Sequence, residues 1–247
     1  MVDSHTAAGP ARPDPALYPD LARAGSLQAA VQDELDRSGH RLSARVESAP
    51  GWPYVGARIE NDQRHTSILI GLEVRVFLIE FWAQGVMMAQ GDTVELHEAA
   101  EAAYVWQTGA SLRDLRTAWP FVHFGALAEA HERGDAAQLK WQLLRDASQL
   151  AELRPLIDAA MIEPRLRLLF PYTSHATLHL SRCTGYPYTN DLPYVEPLGE
   201  GSFNVIEPTG RQYTAVSATD AVALLLAALP PGYGPAVAGT AEQFSTR

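Results

Sequence analysis

The chain is 247 residues long, 47% apolar and 19% charged, with a formal net charge of −10. That composition supports a sizeable folded core and excludes a disordered chain. The acidic balance makes nucleic acid and anionic membrane poor partners, although a local arginine cluster can still hold a small anion.

The lone cysteine, Cys183, excludes an intrachain disulfide and a cysteine-based zinc site. No segment approaches the ~20 apolar residues of a membrane helix. The stretch 1–16 is polar, rich in Pro and Ala, and without an apolar signal core; it is expected to be a flexible tail on a cytoplasmic protein.

Ser26 opens a helix running to about Ser38, with Leu27, Ala30, Val31 and Leu35 at helical spacing and Gly39 as the stop. The period then changes to two. Strands are expected over 41–47, 54–60 and 65–72, with turns at 49–53 and 61–63, and the run from Val74 to Trp82 is the most strand-like in the chain. Gly85 to Gln90 returns beside it. Helices follow over 94–107, from Ser111, and over 124–133, 135–147 and 150–161, the last beginning near Arg154 because Pro155 suits a first turn. Strand returns over 175–183, a hairpin spans 201–216, and Thr219 caps a helix through Leu229.

These elements predict an α+β fold: antiparallel sheet with packing helices and a helical middle region. The expected divisions are a tail over 1–16, a helix, meander and helix over 17–110, the helical middle over 111–163, strands plus helix over 164–239, and a loose tail over 240–247, all in one compact unit. Both ends combine a sheet with a helix, which suggests two similar halves, although no residue-level repeat is visible.

No glycine fingerprint, phosphate-cradling loop or nucleophile elbow is present, and no cofactor is expected. His97-Glu98-Ala99-Ala100-Glu101 lacks the second histidine of a zincin helix and reads as a solvated face. His175 and His179, four apart on a strand, stand ~13 Å from each other, too far to share a metal. No metal site is expected.

Four features can carry chemistry. The strand over 175–183 places His175, Thr177, His179, Ser181 and Cys183 on one side, facing either water or a cleft. Glu80 shares a side of its strand with Val76, Leu78 and Trp82. A carboxylate there must be paired, by Arg58 or Arg75, or it lines a pocket as a general base. The loop 184–194, with Tyr186, Tyr188, Asp191 and Tyr194, either binds a ligand or packs its rings on the sheet. Thr173 and Ser174, preceded by Arg165 and Arg167, suit a sulfate, phosphate or carboxylate, unless the arginines are plain surface charges.

Four stretches carry a family likeness: Pro50-Gly51-Trp52 with Gly56–Glu60; Phe77–Trp82 with Gly85; Leu169–His175 leading to Leu178–Arg182; and Ala218–Leu224. Together they resemble an actinobacterial domain family of unknown function labelled as natural-product biosynthesis proteins, over about Leu21 to Gly239. One branch looks like the aziridine-forming proteins of azinomycin- and ficellomycin-type pathways. The resemblance implies ring closure by an amine that displaces a neighbouring sulfate ester. It further implies a small-molecule or carrier-bound amino substrate, an amino-group carrier protein and a sulfotransferase partner. It carries no residue assignment.

That chemistry needs a base, which Glu80, His175 or Asp191 can supply. It also needs an anion site, for which Arg58, Arg182, Thr173 and Ser174 qualify. Trp82, His179, Tyr186 and Tyr188 complete the expected substrate contacts. The competing expectations are a non-catalytic partner of a biosynthetic enzyme and an immunity-type interaction protein.

Overall fold

The computed structural model describes residues 14–47, 56–61 and 63–245. The tail through residue 13, the turn at 49–53 with Pro50-Gly51-Trp52, the start of the second strand at Tyr54 and the turn residue Asp62 lie outside the described residues. The chain divides into two units, one of Met1–Ala83 with Met87–Gly125, the other of Gln84–Val86 with Ala126–Arg247. The boundary cuts through the expected helical middle.

The first unit opens with α1 (Pro19–Ala24) and α2 (Leu27–Arg37). The Ser26 hydroxyl accepts the Ala29 N–H at 3.0 Å, satisfying one of the orphan donors of the first turn of α2. Gly39 ends the helix in the left-handed region at φ +76. Five strands follow: β1 (Ala44–Glu47), β2 (Gly56–Glu60), β3 (Arg64–Ile70), β4 (Phe77–Ala83) and β5 (Val86–Thr93). Then come α3 (Leu96–Gln107), α4 (Leu112–Ala118) and the short β6 (Val122–His123).

The sheet order is β1-β2-β3-β4-β5-β6, a meander in chain sequence. Strand alternation sends Phe77, Ile79 and Phe81 of β4 into the core, beside Ile59 and Ile68, whereas Leu78, Glu80 and Trp82 stand on the opposite, outer face. Helices α2 and α3 lie side by side and pack on the strands, and Trp106 donates its indole N–H to the Trp82 carbonyl at 3.1 Å.

The second unit begins with α5 (Ala126–Arg133), α6 (Ala136–Asp146), α7 (Arg154–Ile162) and α8 (Pro164–Arg167). Pro155 sits in the first turn of α7, as its fixed φ and missing N–H require. The strands are β7 (Phe170–Ser174), β8 (Thr177–Ser181), β9 (Tyr194–Gly199), β10 (Ser202–Ile206) and β11 (Gln212–Ala215), and they form a second antiparallel meander in the order β11-β10-β9-β8-β7. Helix α9 (Ala218–Ala228) packs on β10 and β11 and against α7, and α10 (Ala241–Ser245) follows near the end of the chain. Leu156, Ile157, Leu178, Val195, Phe203 and Leu225 make up the centre of this core.

The α+β expectation is met, with two antiparallel sheets and packing helices. Several details change. His175 is not in a strand: it and Ala176 form the two-residue turn between β7 and β8, with φ of 49 and 61. The strands β7 and β9 and the helix α8 were not expected as such. Helix α9 is capped by Ser217, whose hydroxyl accepts the Asp220 N–H at 3.1 Å, rather than by Thr219. The stretch 241–245, expected to be a loose tail, is helical. Among the described residues no helix is long and apolar enough to cross a membrane.

Candidate functional site

The expected site residues fall into separate groups. On the outer face of the first sheet, Arg58 and Glu80 stand on either side of Ser67, to which both are paired in register. Glu80 is not held by Arg58 or Arg75. Its carboxylate accepts the Trp82 indole N–H at 3.0 Å. Arg58 is engaged instead by Glu60 at 2.9 Å and Glu47 at 3.5 Å, and Arg75 by Asp20 at 2.8 Å. The side of β4 carrying Leu78, Glu80 and Trp82 is not the core side. Trp82 stacks nearly parallel on His65, with centroids 5.5 Å apart. Burial, followed by the Arg58 charge, pushes the His65 imidazole down to about 4, so it is neutral at neutral pH.

In the second unit, His175 occupies an exposed turn and shares a hydrogen bond with the Ser174 hydroxyl at 3.1 Å. Thr173 pairs with Leu178 and so faces the opposite side of β7 from Ser174. Asp191 is ion-paired with Arg182, whose guanidinium also lies 4.4 Å over the Phe244 ring. The five residues of β8 separate His175 from this pair, about 17 Å of extended chain. Within the second unit His175 and Asp191 stand at opposite ends of β8, and Glu80 belongs to the first unit.

The structure does bring rings together. Tyr172 on β7, His179 on β8 and Tyr194 on β9 stack face to face across three neighbouring strands, with centroids 4.9 Å apart at each step. Tyr188 from the following loop stacks on Tyr172 at 4.5 Å. Burial lowers the pKa of His179, and burial together with nearby Cys183 raises those of Tyr172 and Tyr188. Along the ladder each ring face covers the next.

Buried Ser181 ties down the loop. Its hydroxyl accepts the N–H groups of Cys183 and Thr189, both at 3.1 Å, and donates to the Cys183 carbonyl at 2.7 Å. In this loop Tyr188 packs on the sheet against Tyr172 and Phe170, while Tyr186 is 70% exposed.

A cleft of ≈ 590 Å³ lies elsewhere in the second unit, between the start of α6, the end of α7, α8 and the segment at Pro235. Ala137, Gln138, Trp141 and Gln142 are neighbours on one face of α6 and form one wall, opposite Met161, Arg165, Arg167 and Leu168. Trp141 is anchored from below by its indole N–H to the Leu169 carbonyl at 3.1 Å, and Ala236 closes a third side through its N–H to the Leu168 carbonyl at 2.7 Å. The sequence left Arg165 and Arg167 as either anion contacts beside Thr173 and Ser174 or plain surface charges; the fold sets them along the cleft beside α6. Trp141 and Met161 were missed. The 137–138–141–142 spacing on α6 was the available signal, and the opposing wall has no local signature.

Among the described residues no three His, Cys, Asp or Glu side chains gather as a metal site. Residues 135–240 match the model of a family described as a family of unknown function (DUF6193). That segment contains every residue lining the cleft except Gly134. No curated protein and no solved structure matches the chain.

Proposed function

We propose that the protein serves natural-product biosynthesis by binding, as a non-catalytic partner of a biosynthetic enzyme, with its second unit receiving a small molecule. The natural-product setting comes from the family resemblance. The binding role is supported by one contrast within the second unit: His175 and Asp191 stand at opposite ends of β8, with Asp191 ion-paired to Arg182, while a cleft of ≈ 590 Å³ is present.

Aziridine ring closure needs a base and an anion site around one reacting centre, with amine and carbon near ~3 Å. Within the second unit, His175 and Asp191 at opposite ends of β8 do not support a centre built on those two. The test is incubation with a carrier-bound sulfate-ester amine, followed by mass spectrometry. The protein alone is expected to release no sulfate, and to raise turnover when the pathway enzyme is added. Sulfate release by the protein alone, lost in Glu80→Gln, His175→Ala or Asp191→Asn, would replace the binding role with the catalytic one.

A further inference from the structure

We propose that the cleft between α6 and α8 binds a compact oxyanion (carboxylate, sulfate or phosphate monoester) carried on an apolar body. This deepens the binding role above by giving its ligand a chemical class, and it rests on that reading only for the biological setting.

Charge is the first reason. Arg165 and Arg167 line the cleft, and both are exposed. Arg165 donates its Nε–H to the Tyr233 hydroxyl at 2.9 Å, a neutral partner that leaves the guanidinium's charge uncompensated. Arg167 has no ion pair among the described residues. The one carboxylate lining the cleft, Asp135, is paired with Arg133 at 3.2 Å. Nearby Glu163 is turned to the N-terminus of α8, accepting the Arg165 backbone N–H at 3.1 Å. In a chain of net charge −10, a cleft with two uncompensated guanidinium groups is a local reversal of sign that draws in anions. The fork of each guanidinium matches two oxygens of one carboxylate, sulfate or phosphate.

The floor supplies the second reason. Met161, Leu168 and Ala137 offer partly exposed apolar surface to this space, Leu168 at 47%, above the buried Trp141. An inorganic anion alone would leave that apolar surface wet, whereas an aliphatic or aromatic body would cover it. The first turn of α6 borders the cleft as well, so its unpaired N–H groups add positive potential to that supplied by the arginines. The volume of ≈ 590 Å³ suits a ligand of drug size.

The test uses the full chain and four probes sharing one hexyl tail: hexyl sulfate, hexanoate, hexyl phosphate and hexylamine, with inorganic sulfate as a fifth. Binding is followed by titration calorimetry and ligand-observed NMR. The anionic hexyl probes are expected to bind, with inorganic sulfate and hexylamine weaker by about tenfold or more. Their order of affinity identifies which oxyanion the cleft prefers. Arg167→Gln, on an exposed side chain outside the core, is expected to weaken the anionic probes about tenfold, and Arg165→Gln to do likewise. Ala137→Trp is expected to block all of them while leaving the circular dichroism spectrum unchanged.

Equal binding of hexylamine and hexyl sulfate, no binding of any probe, or no effect of either arginine substitution would overturn the proposal. These readouts are independent of turnover. A protein that stimulates its pathway enzyme but binds no anion loses only the ligand class, and one that binds the anions but releases sulfate alone loses only the non-catalytic role.

Discussion

The two sheets share one plan and differ on their outward surfaces. Each is a five-strand meander in chain order, the first extended by β6, with helices packed on its strands: α2 and α3 on the first sheet, α6 and α9 on the second. The outer face of the first sheet carries a cross-strand row with three charges, Arg45, Arg58 and Glu80, interrupted by Ser67. The outer face of the second carries stacked rings. Alternation fixes which residues leave the core, but the chemistry of those residues is set independently in each half. Equal architecture is therefore no guide to equal function, which lives in particular side chains.

The comparison can be broken most forcefully in the cores. Phe81 in the first unit and Phe203 in the second are both fully buried on interior strands. Replacing either with Ala is expected to cost about 3–5 kcal/mol in urea denaturation. Similar losses keep the two units as equals, and a loss below about 1 kcal/mol for one would remove its core from the parallel.

Acid should weaken both units in the same window. Burial, with His65 also facing Arg58 and His131 facing Lys140, depresses both imidazoles to about 4, below the usual 6.5 of the unfolded chain. As the pH falls the unfolded state takes up the protons first. The stabilisation is complete above about pH 6.5 and is lost as pH falls from there through about 4. Both groups are partly solvated, so the expected loss is only on the order of 1–2 kcal/mol each. Urea midpoints at about pH 7 and pH 5 measure it. A drop that persists unchanged in His65→Gln and His131→Gln would assign it to other groups.

Smaller effects test the helix starts and the outer faces. Ser26→Ala and Ser217→Ala should each cost about 1 kcal/mol, read as a lowered melting temperature. Double-mutant cycles should give about 0.5–1.5 kcal/mol for Tyr172 with His179, unaffected by salt. For Arg58 with Glu60 they should give about 0.2–1 kcal/mol, vanishing near 1 M sodium chloride. If both couplings respond to salt alike, the two outer faces do not differ in kind.

Local signals were legible in the sequence. Ser26 and Ser111 mark helix starts, Pro155 a first turn, and the alternation over β4 a strand. The inward side of β4 was not legible, because Val76, Leu78 and Trp82 look as apolar as Phe77, Ile79 and Phe81. Strands β7 and β9 were hidden by Pro171 and Pro197. The first lies on an edge strand, and the second pairs with Phe203 beside a register irregularity, both places where a missing N–H is tolerated. The ring ladder and the cleft join residues far apart in the chain, so no window of sequence contains either one. Arg165 and Arg167 were legible as either anion contacts or plain surface charges, but their neighbours on α6 were not legible.

The turn between β7 and β8 has a practical consequence. A two-residue connection with both central residues at positive φ favours asparagine and glycine, yet this one is made by His175 and Ala176. Alanine held there costs about 1 kcal/mol that glycine would not. The tip is thus a place where the protein can be made sturdier by redesign, outside the residues that line the cleft.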